Sequence, residues 1–250
     1  MDSLALRPRK ATEIIDAAIE VYRRNPVHFL LLAAIVRVPW LVVQIILIGG
    51  RDADVEAFVA STFIGLGTLL STFIMGGFVV HMASELYLGR DTDAFETIRR
   101  IWPRIGTVFM ASLLQALAIG VGLLLFLFPA VWVTAVTAAV IPVVVLENRG
   151  FTAAFSRAAQ LSDGMKWHIL SAIGLVVLIR VIVEIGIAVV AQLIPMPELR
   201  FVAVAAAAML IYPLLGIAEA LVYYDIRIRK EGFDIEMMAQ QATAPAPVTA

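Results

Sequence analysis

The chain has 250 residues, of which 61% are hydrophobic and 16% are charged. Soluble domains are about 45–50% apolar and about 25% charged, so this excess predicts a lipid environment rather than a larger core. The formal net charge of −1 gives no indication of a nucleic-acid partner. Because the sequence contains no cysteine, disulfides, thiolate metal sites and cysteine nucleophiles are excluded.

Six apolar segments follow one another along the chain, and about 20 such residues cross a ~30 Å hydrocarbon core as a helix. The predicted spans are residues 27–48, 56–82, 105–127, 130–146, 166–194 and 201–224. The second span is expected to continue as helix to Leu88. A tight turn at Phe128–Pro129 separates the third and fourth spans, and Pro142 is expected to kink the fourth.

A short amphipathic segment precedes each pair of spans. Residues 10–25 place apolar side chains on one helical face, and the segment after Arg90 begins with Asp93 and Glu96 at capping-box spacing. The third amphipathic segment runs from Gly150 to the turn 162–164. The apolar face of the first segment comprises Ile14, Ile15, Ala18, Ile19 and Tyr22.

These patterns predict an all-α, polytopic membrane protein. Its six transmembrane helices would form three hairpins, each preceded by a cytoplasmic amphipathic helix at the membrane interface. Residues 1–236 are expected to form a single membrane domain, and residues 237–250 a disordered tail. Fifteen of the 19 lysines and arginines lie on one side of this arrangement and only Arg51 and Arg200 on the other, which predicts that both termini are cytoplasmic.

Four charged residues fall inside the predicted spans and are the best candidates for an intramembrane polar site. They are Arg37, Arg180, Glu184 and Glu219. An unpaired charge at mid-membrane costs about 2.5–3.5 kcal/mol on insertion scales. We therefore expect the fifth span to be an inner helix, and Arg180 to pair with Glu184 four residues on. The other pair predicted from estimated depth is Arg37–Glu219.

Two hypotheses remain open for these charges. They could line a polar pathway or a site for a lipid headgroup or anionic solute. Alternatively, they could fix helix register and do nothing more.

Basic and aromatic residues at the predicted cytoplasmic interface are a second set of candidates, either for lipid contact or for ordinary anchoring. The segment 225–234 alternates in charge. It is expected to be solvated or to contact Arg23, Arg24 or the loop 147–149. The candidate contacts on this face are Arg23, Arg24, Glu147, Trp167, Asp225 and Arg227.

Several stretches resemble the bacterial family known as the glycerophosphoryl diester phosphodiesterase membrane domain. They are LRPRKATEIIDAAIEVYRRNP at 6–26, YLGRDTDAFETIRRIWPRI at 87–105, IPVVVLENRGFTAAFSRAAQLSDGMKW at 141–167, and YYDIRIRKEGFD at 223–234. The resemblance implies a six-span protein of the inner cell membrane. It does not imply the phosphodiesterase activity, which belongs to a separate soluble barrel domain with metal-binding residues.

No catalytic motif is found, and His28, His81 and His168 are too far apart in sequence to suggest a metal site. We therefore expect a non-enzymatic integral membrane protein that binds or organises lipid or a membrane partner, without a cofactor. The alternative is a transporter or channel-like protein that uses the buried charges, and an enzyme acting in the bilayer is the third hypothesis. The expected partners are membrane lipids and a membrane-protein partner or a second copy of the chain.

Overall fold

The structure is a computed structural model that describes residues 7–48 and 54–236. Within these residues the secondary structure is helical, without strands. The helices are α1 Ala11–Arg24, α2 Pro26–Ile48, α3 Asp54–Tyr87, α4 Ala94–Ile101, α5 Ile105–Leu125, α6 Leu127–Thr137, α7 Val140–Leu146, α8 Phe151–Ser162, α9 Lys166–Ala191 and α10 Pro197–Glu231. A short 3₁₀ turn, Trp102–Arg104, joins α4 to α5.

Six helical segments of the described chain are long and apolar enough to cross a membrane. They are Pro26–Leu47, Ser61–Tyr87, Ala94–Leu125, Leu127–Leu146, Lys166–Ala191 and Leu199–Glu231. Large apolar side chains such as Ile46, Leu66 and Ile182 lie exposed on the outside of the bundle, as lipid contact requires. The predicted all-α fold with six such segments is therefore confirmed. The predicted tail at 237–250 lies outside the described residues, as do residues 49–53 between the first two predicted spans.

The connection between α5 and α6 is shorter than predicted. It consists of Phe126 alone, two residues before the expected turn at Phe128. Pro129 does not end a helix here. It lies in the first turn of α6, where a missing N–H costs no intrahelical hydrogen bond.

The predicted kink in the fourth segment is confirmed as a break between α6 and α7 at Ala138 and Ala139. Pro142 explains its position. Proline has no N–H to donate to the carbonyl four residues earlier, which belongs to Ala138, and its ring clashes with that carbonyl.

The central helix is α10, which packs against α1, α2, α3, α7, α8 and α9. The expectation that α9 is the inner helix is therefore wrong. Its second half is exposed on the outside of the bundle, including Ile182, Ile185 and Val189. The reason is local: Arg180 and Glu184 neutralise each other along one helix, so they do not require surrounding helices.

The amphipathic helices bury their apolar faces against protein rather than lying free on lipid. In α1, Ile14 and Val21 are fully buried because the helix packs on α9 and α10. Ile19 is 38% exposed, so the predicted apolar face was correct only in part. The N-terminus of α4 is capped by Asp93, whose carboxylate accepts from the Glu96 N–H at 2.8 Å. The third amphipathic helix, α8, packs on α5, α6 and α7.

One end of the bundle holds α1, α8 and the last turns of α10, and we call it the α8 side. Ion pairs and hydrogen bonds join these elements there. Arg157 on α8 bonds to Glu231 on α10 at 2.6 Å, and the Arg9 N–H donates to Asp225 at 2.6 Å. The last helix thus ties the start of α1 to α8.

Candidate functional site

A cavity of about 290 Å³ lies within the apolar part of the bundle, between α3, α5, α6, α7, α9 and α10. Most of its lining is aliphatic, but polar side chains line it on every one of these helices except α7. The polar lining residues are Thr72, Ser112, Gln115, Thr134, Arg180, Tyr212 and Glu219. Ligand sites in proteins typically combine apolar walls with a few such polar groups.

Arg180 and Glu184 form the predicted ion pair. Arg180 Nε lies 2.8 Å from Glu184 Oε1, one helical turn away. The side chains are 26% and 37% exposed, so the pair is not sealed inside the bundle. Because the bond to Glu184 uses Nε, the planar fork of Arg180 offers further donors towards the cavity that it lines.

The predicted pair between Arg37 and Glu219 does not form. Arg37 instead donates to the Ser71 and Thr72 hydroxyls, each at 3.1 Å, and its guanidinium carbon lies 3.8 Å from the centre of the Tyr212 ring. The side chain is 8% exposed. Among the described residues, Glu219 has no ion-pair partner.

The pair is not formed because the two residues lie at different depths. Counting residues from the predicted membrane edges places Arg37 and Glu219 at similar depths. The structure puts Arg37 level with Tyr212, which precedes Glu219 by seven residues, or about 10 Å of helix. The membrane edge predicted on α10 therefore lies too near the C-terminal end of that helix, because its last turns pack beside α1 and α8.

Tyr212 joins the two arginines and was not identified from the sequence. Its ring centre is 5.2 Å from the Arg180 guanidinium carbon as well as 3.8 Å from that of Arg37. Cations over an aromatic face are attracted by its electron density. A tyrosine in the middle of an apolar span is the feature of the sequence that could have identified it. Tyrosines in membrane proteins usually lie near the interfaces, so a central one indicates a polar contact.

A second, smaller cavity of about 170 Å³ shares Tyr212 with the first, and Arg37 lines this second cavity. Its polar part is a hydrogen-bonded group on α2 and α3. Trp40 Nε1 and Gln44 Nε2 both donate to the Thr68 hydroxyl, at 3.1 and 2.9 Å. Tyr212 therefore borders both cavities, and Arg37 borders the smaller one.

Glu147 is the centre of the first charged cluster on the α8 side. Arg157 Nε lies 3.0 Å from its carboxylate, Arg149 Nε 2.8 Å, and the Tyr223 hydroxyl donates to it at 3.2 Å. Arg227 reaches the same cluster through Tyr223, at 3.4 Å. The charged segment of α10 thus reaches the loop at 147–149 indirectly, through Tyr223 and through Glu231, which lies 2.6 Å from Arg157.

Asp225 is the centre of the second cluster and is 2% exposed at its side chain. Its carboxylate accepts from the Arg9 N–H at 2.6 Å and from Arg229 Nε at 2.8 Å. His168 Nε2 lies 2.7 Å away and, since a carboxylate accepts, carries the proton of that bond. These contacts are structural, because they join α1, α9 and α10.

Arg23 and Arg24 are the alternative contacts predicted for the charged segment. Both arginines are exposed at the end of α1, and Arg24 lies 2.6 Å from Glu20. Trp167 is also exposed, as are Phe95 and Trp102. These three aromatic side chains fit the predicted belt at a membrane interface.

The fold and the cavity define a multi-pass, all-α membrane protein with a polar site among its apolar helices. Among the described residues, no group of three or more His, Asp or Glu side chains could hold a metal ion. The chain matches no protein-family model, no curated protein and no solved structure.

Proposed function

We propose that the protein is a non-enzymatic integral membrane protein that binds the headgroup of a phospholipid in the 290 Å³ cavity. The observation that carries this proposal is the presence of one arginine and one glutamate in the same, otherwise largely aliphatic cavity. Arg180 provides charged donors for a phosphate group. Glu219, which has no ion-pair partner among the described residues, provides an acceptor for an ammonium group.

This pair of charges favours a zwitterionic headgroup of the phosphoethanolamine type over an anionic one. A headgroup with phosphate alone would bring a negative charge towards Glu219 in a medium of low dielectric constant. Ser112, Gln115 and Thr134 add uncharged hydrogen-bonding groups, and the aliphatic walls suit the first carbons of the acyl chains.

The test is native mass spectrometry of the purified protein after exchange into equal amounts of phosphatidylethanolamine and phosphatidylglycerol. Ala116→Phe places a ring in the cavity and should abolish retention of lipid. Leu117→Phe, at the neighbouring exposed position, is the matched control and should retain it. Glu219→Gln should shift the preference from phosphatidylethanolamine to phosphatidylglycerol. Equal retention by Ala116→Phe and Leu117→Phe would contradict the proposal.

A transporter is the second candidate, and the two cavities that share Tyr212 favour it. In that case each cavity would be reached by water from a different face of the membrane. The chain contains no cysteine, so Gln44→Cys and Ser112→Cys report on the smaller and larger cavity separately. Labelling of each by a membrane-impermeant maleimide from opposite faces would support transport, and no labelling of either would exclude it.

We also propose that the protein lies in the inner cell membrane with both ends cytoplasmic. The distribution of lysine and arginine supports this orientation. The resemblance to the glycerophosphoryl diester phosphodiesterase membrane domain supports the location, and we propose membership of that family on the same stretches of sequence.

A further inference from the structure

The turn between α5 and α6 differs in composition from the segments that join the first and second and the fifth and sixth predicted spans. From 116 to 133 no side chain carries a charge, a hydroxyl or an amide. Yet the side chains of this turn are not covered by the rest of the protein. Leu124 is 87% and Phe126 81% exposed, and Leu127 and Phe128 are exposed as well. By contrast, the segments 49–54 and 192–200 contain charged residues.

The position of Trp132 shows where this turn lies. The Lys166 ammonium is 5.3 Å from the centre of the Trp132 ring and 3.1 Å from the Asp163 carboxylate. The Asp163 side chain is 80% exposed, and an exposed carboxylate paired with an ammonium requires water. Trp132 therefore lies at a water interface, where the indole ring is favoured.

That interface is on the α8 side. Lys166 is the first residue of α9, and His168, two residues later, contacts Asp225. On α8, the Gln160 carbonyl accepts from Lys230 at 2.8 Å. These contacts hold Lys166, and with it Trp132, at the charged end of α10.

Phe126 precedes Trp132 by six residues, which is about 9 Å of α-helix. The hydrocarbon core is about 30 Å thick, so a turn this close to the interface on the α8 side cannot reach the opposite one. The packing agrees, because α8 contacts α5 and α6 as well as α7. A helix confined to one surface would contact only the near ends of an upright hairpin.

We infer that the turn of the α5–α6 hairpin lies in the hydrocarbon of the leaflet next to α8, and that acyl chains of that leaflet surround Leu124 and Phe126. The hairpin enters and leaves the membrane on the same side. The backbone suits this position, because the Phe126 N–H donates to the Gly122 carbonyl at 2.9 Å. Pro129 further reduces the number of free N–H groups at the start of α6.

The test uses single cysteines in the full-length, cysteine-free chain, labelled with bimane and reconstituted into phosphatidylcholine vesicles. Phe126→Cys and Leu124→Cys are the probes. Met196→Cys, in the turn between α9 and α10, and Ser156→Cys, on the exposed face of α8, are the controls. Fluorescence quenching is measured with phosphatidylcholine that carries a nitroxide at a shallow or a deep acyl position, and with a water-soluble nitroxide.

We expect lipid nitroxides to quench both probes at least threefold more than the water-soluble quencher, and the controls to show the reverse order. On intact cells, a membrane-impermeant maleimide should modify Met196→Cys but neither probe. Modification of Phe126→Cys or Leu124→Cys from the same face as Met196→Cys would overturn the inference. A second outcome would also overturn it: an oxidant forms a disulfide between two Phe126→Cys chains, and lipid nitroxides do not quench the probe. That result would place the turn in a dimer interface. Using two probes separates a position effect from a folding defect of one variant.

Discussion

At the scale of single residues, the membrane charges are stabilised by three different means. Arg180 has a carboxylate one turn away, at Glu184. Arg37 has hydroxyls and an aromatic ring, and its Nε is buried without a hydrogen-bond partner among the described residues. Glu219 borders a cavity. The sequence alone suggested two symmetric ion pairs, whereas only the pair within one helix forms.

The first prediction concerns Arg37 and Glu219. Arg37→Leu removes charged hydrogen bonds to Ser71 and Thr72, each worth about 1.5–3 kcal/mol, together with the contact to Tyr212. We expect a lower melting temperature in detergent, and Arg37→Lys should recover only part of the loss because lysine lacks the planar fork. Since Glu219 is not the partner, the effects of Arg37→Leu and Glu219→Leu should add. Recovery of stability in the double variant would show that the two charges interact.

At the scale of elements, close approach of helices depends on individual small residues. A Cβ added at Gly122 on α5 would lie 2.8 Å from both the nitrogen and the Cα of Ala130 on α6, whereas one added at Gly120 would meet nothing within 4 Å. The backbones of the hairpin therefore touch at one glycine and not at its neighbour two residues away. This is the use of small residues expected in membrane helix packing.

The second prediction follows from this contrast. Gly122→Ala should lower the melting temperature of the purified protein, because a backbone atom cannot rotate away from the added methyl group. Gly120→Ala is the control and should be neutral or slightly stabilising, since alanine is favoured over glycine in helices by about 1 kcal/mol. If both variants melt at the same temperature, α5 and α6 are not in contact at Gly122.

The third prediction concerns the α1 helix. Ile15 is buried against the protein and Ile19 is 38% exposed. Ile15→Asp should therefore destabilise strongly, by about 3 kcal/mol or more, as an unpaired buried charge does. Ile19→Asp should have a much smaller effect, and Asp16→Asn none. A helix held by lipid alone would instead respond equally to the two aspartate substitutions, which a thermal melt in detergent can distinguish.

At the scale of the whole molecule, α10 organises the bundle and the α8 side is its charged end. The charged clusters at Glu147 and Asp225 lie there. So does the exposed Trp167, which precedes His168 of the Asp225 cluster. From the distribution of lysine and arginine in the sequence, we propose that this end faces the cytoplasm.

The fourth prediction tests that assignment. Reporter fusions within residues 49–53 and at Met196 should report the outer side, and fusions at Asp91 and Gly150 the cytoplasm. A periplasmic phosphatase paired with a fluorescent protein gives opposite signals at each position. An inverted signal at Gly150 would reverse the orientation of the whole bundle, because α8 is bonded to α10.

The sequence predicted the helices well because long apolar runs and amphipathic repeats are local signals. The Arg180–Glu184 pair was predictable for the same reason. A spacing of four residues on one helix places the two side chains next to each other. The partners of Arg37 and Asp225 were not, because they depend on which helices are neighbours and at what depth. Asp225 contacts a backbone N–H at Arg9, 216 residues earlier. No periodicity within a segment reports such a contact.

The bond between Arg9 and Asp225 also sets an order of events during synthesis. The helix α1 leaves the ribosome early, but the surface that covers Ile14 and Val21 includes the last helix. Until Asp225, Lys230 and Glu231 emerge, neither α1 nor α8 has its final contacts. A chain terminated just before Asp225 would contain every apolar segment and still lack the bonds that join α1 and α8 to α10. The contacts of α1 and α8 are therefore completed only after the last helix has been synthesised.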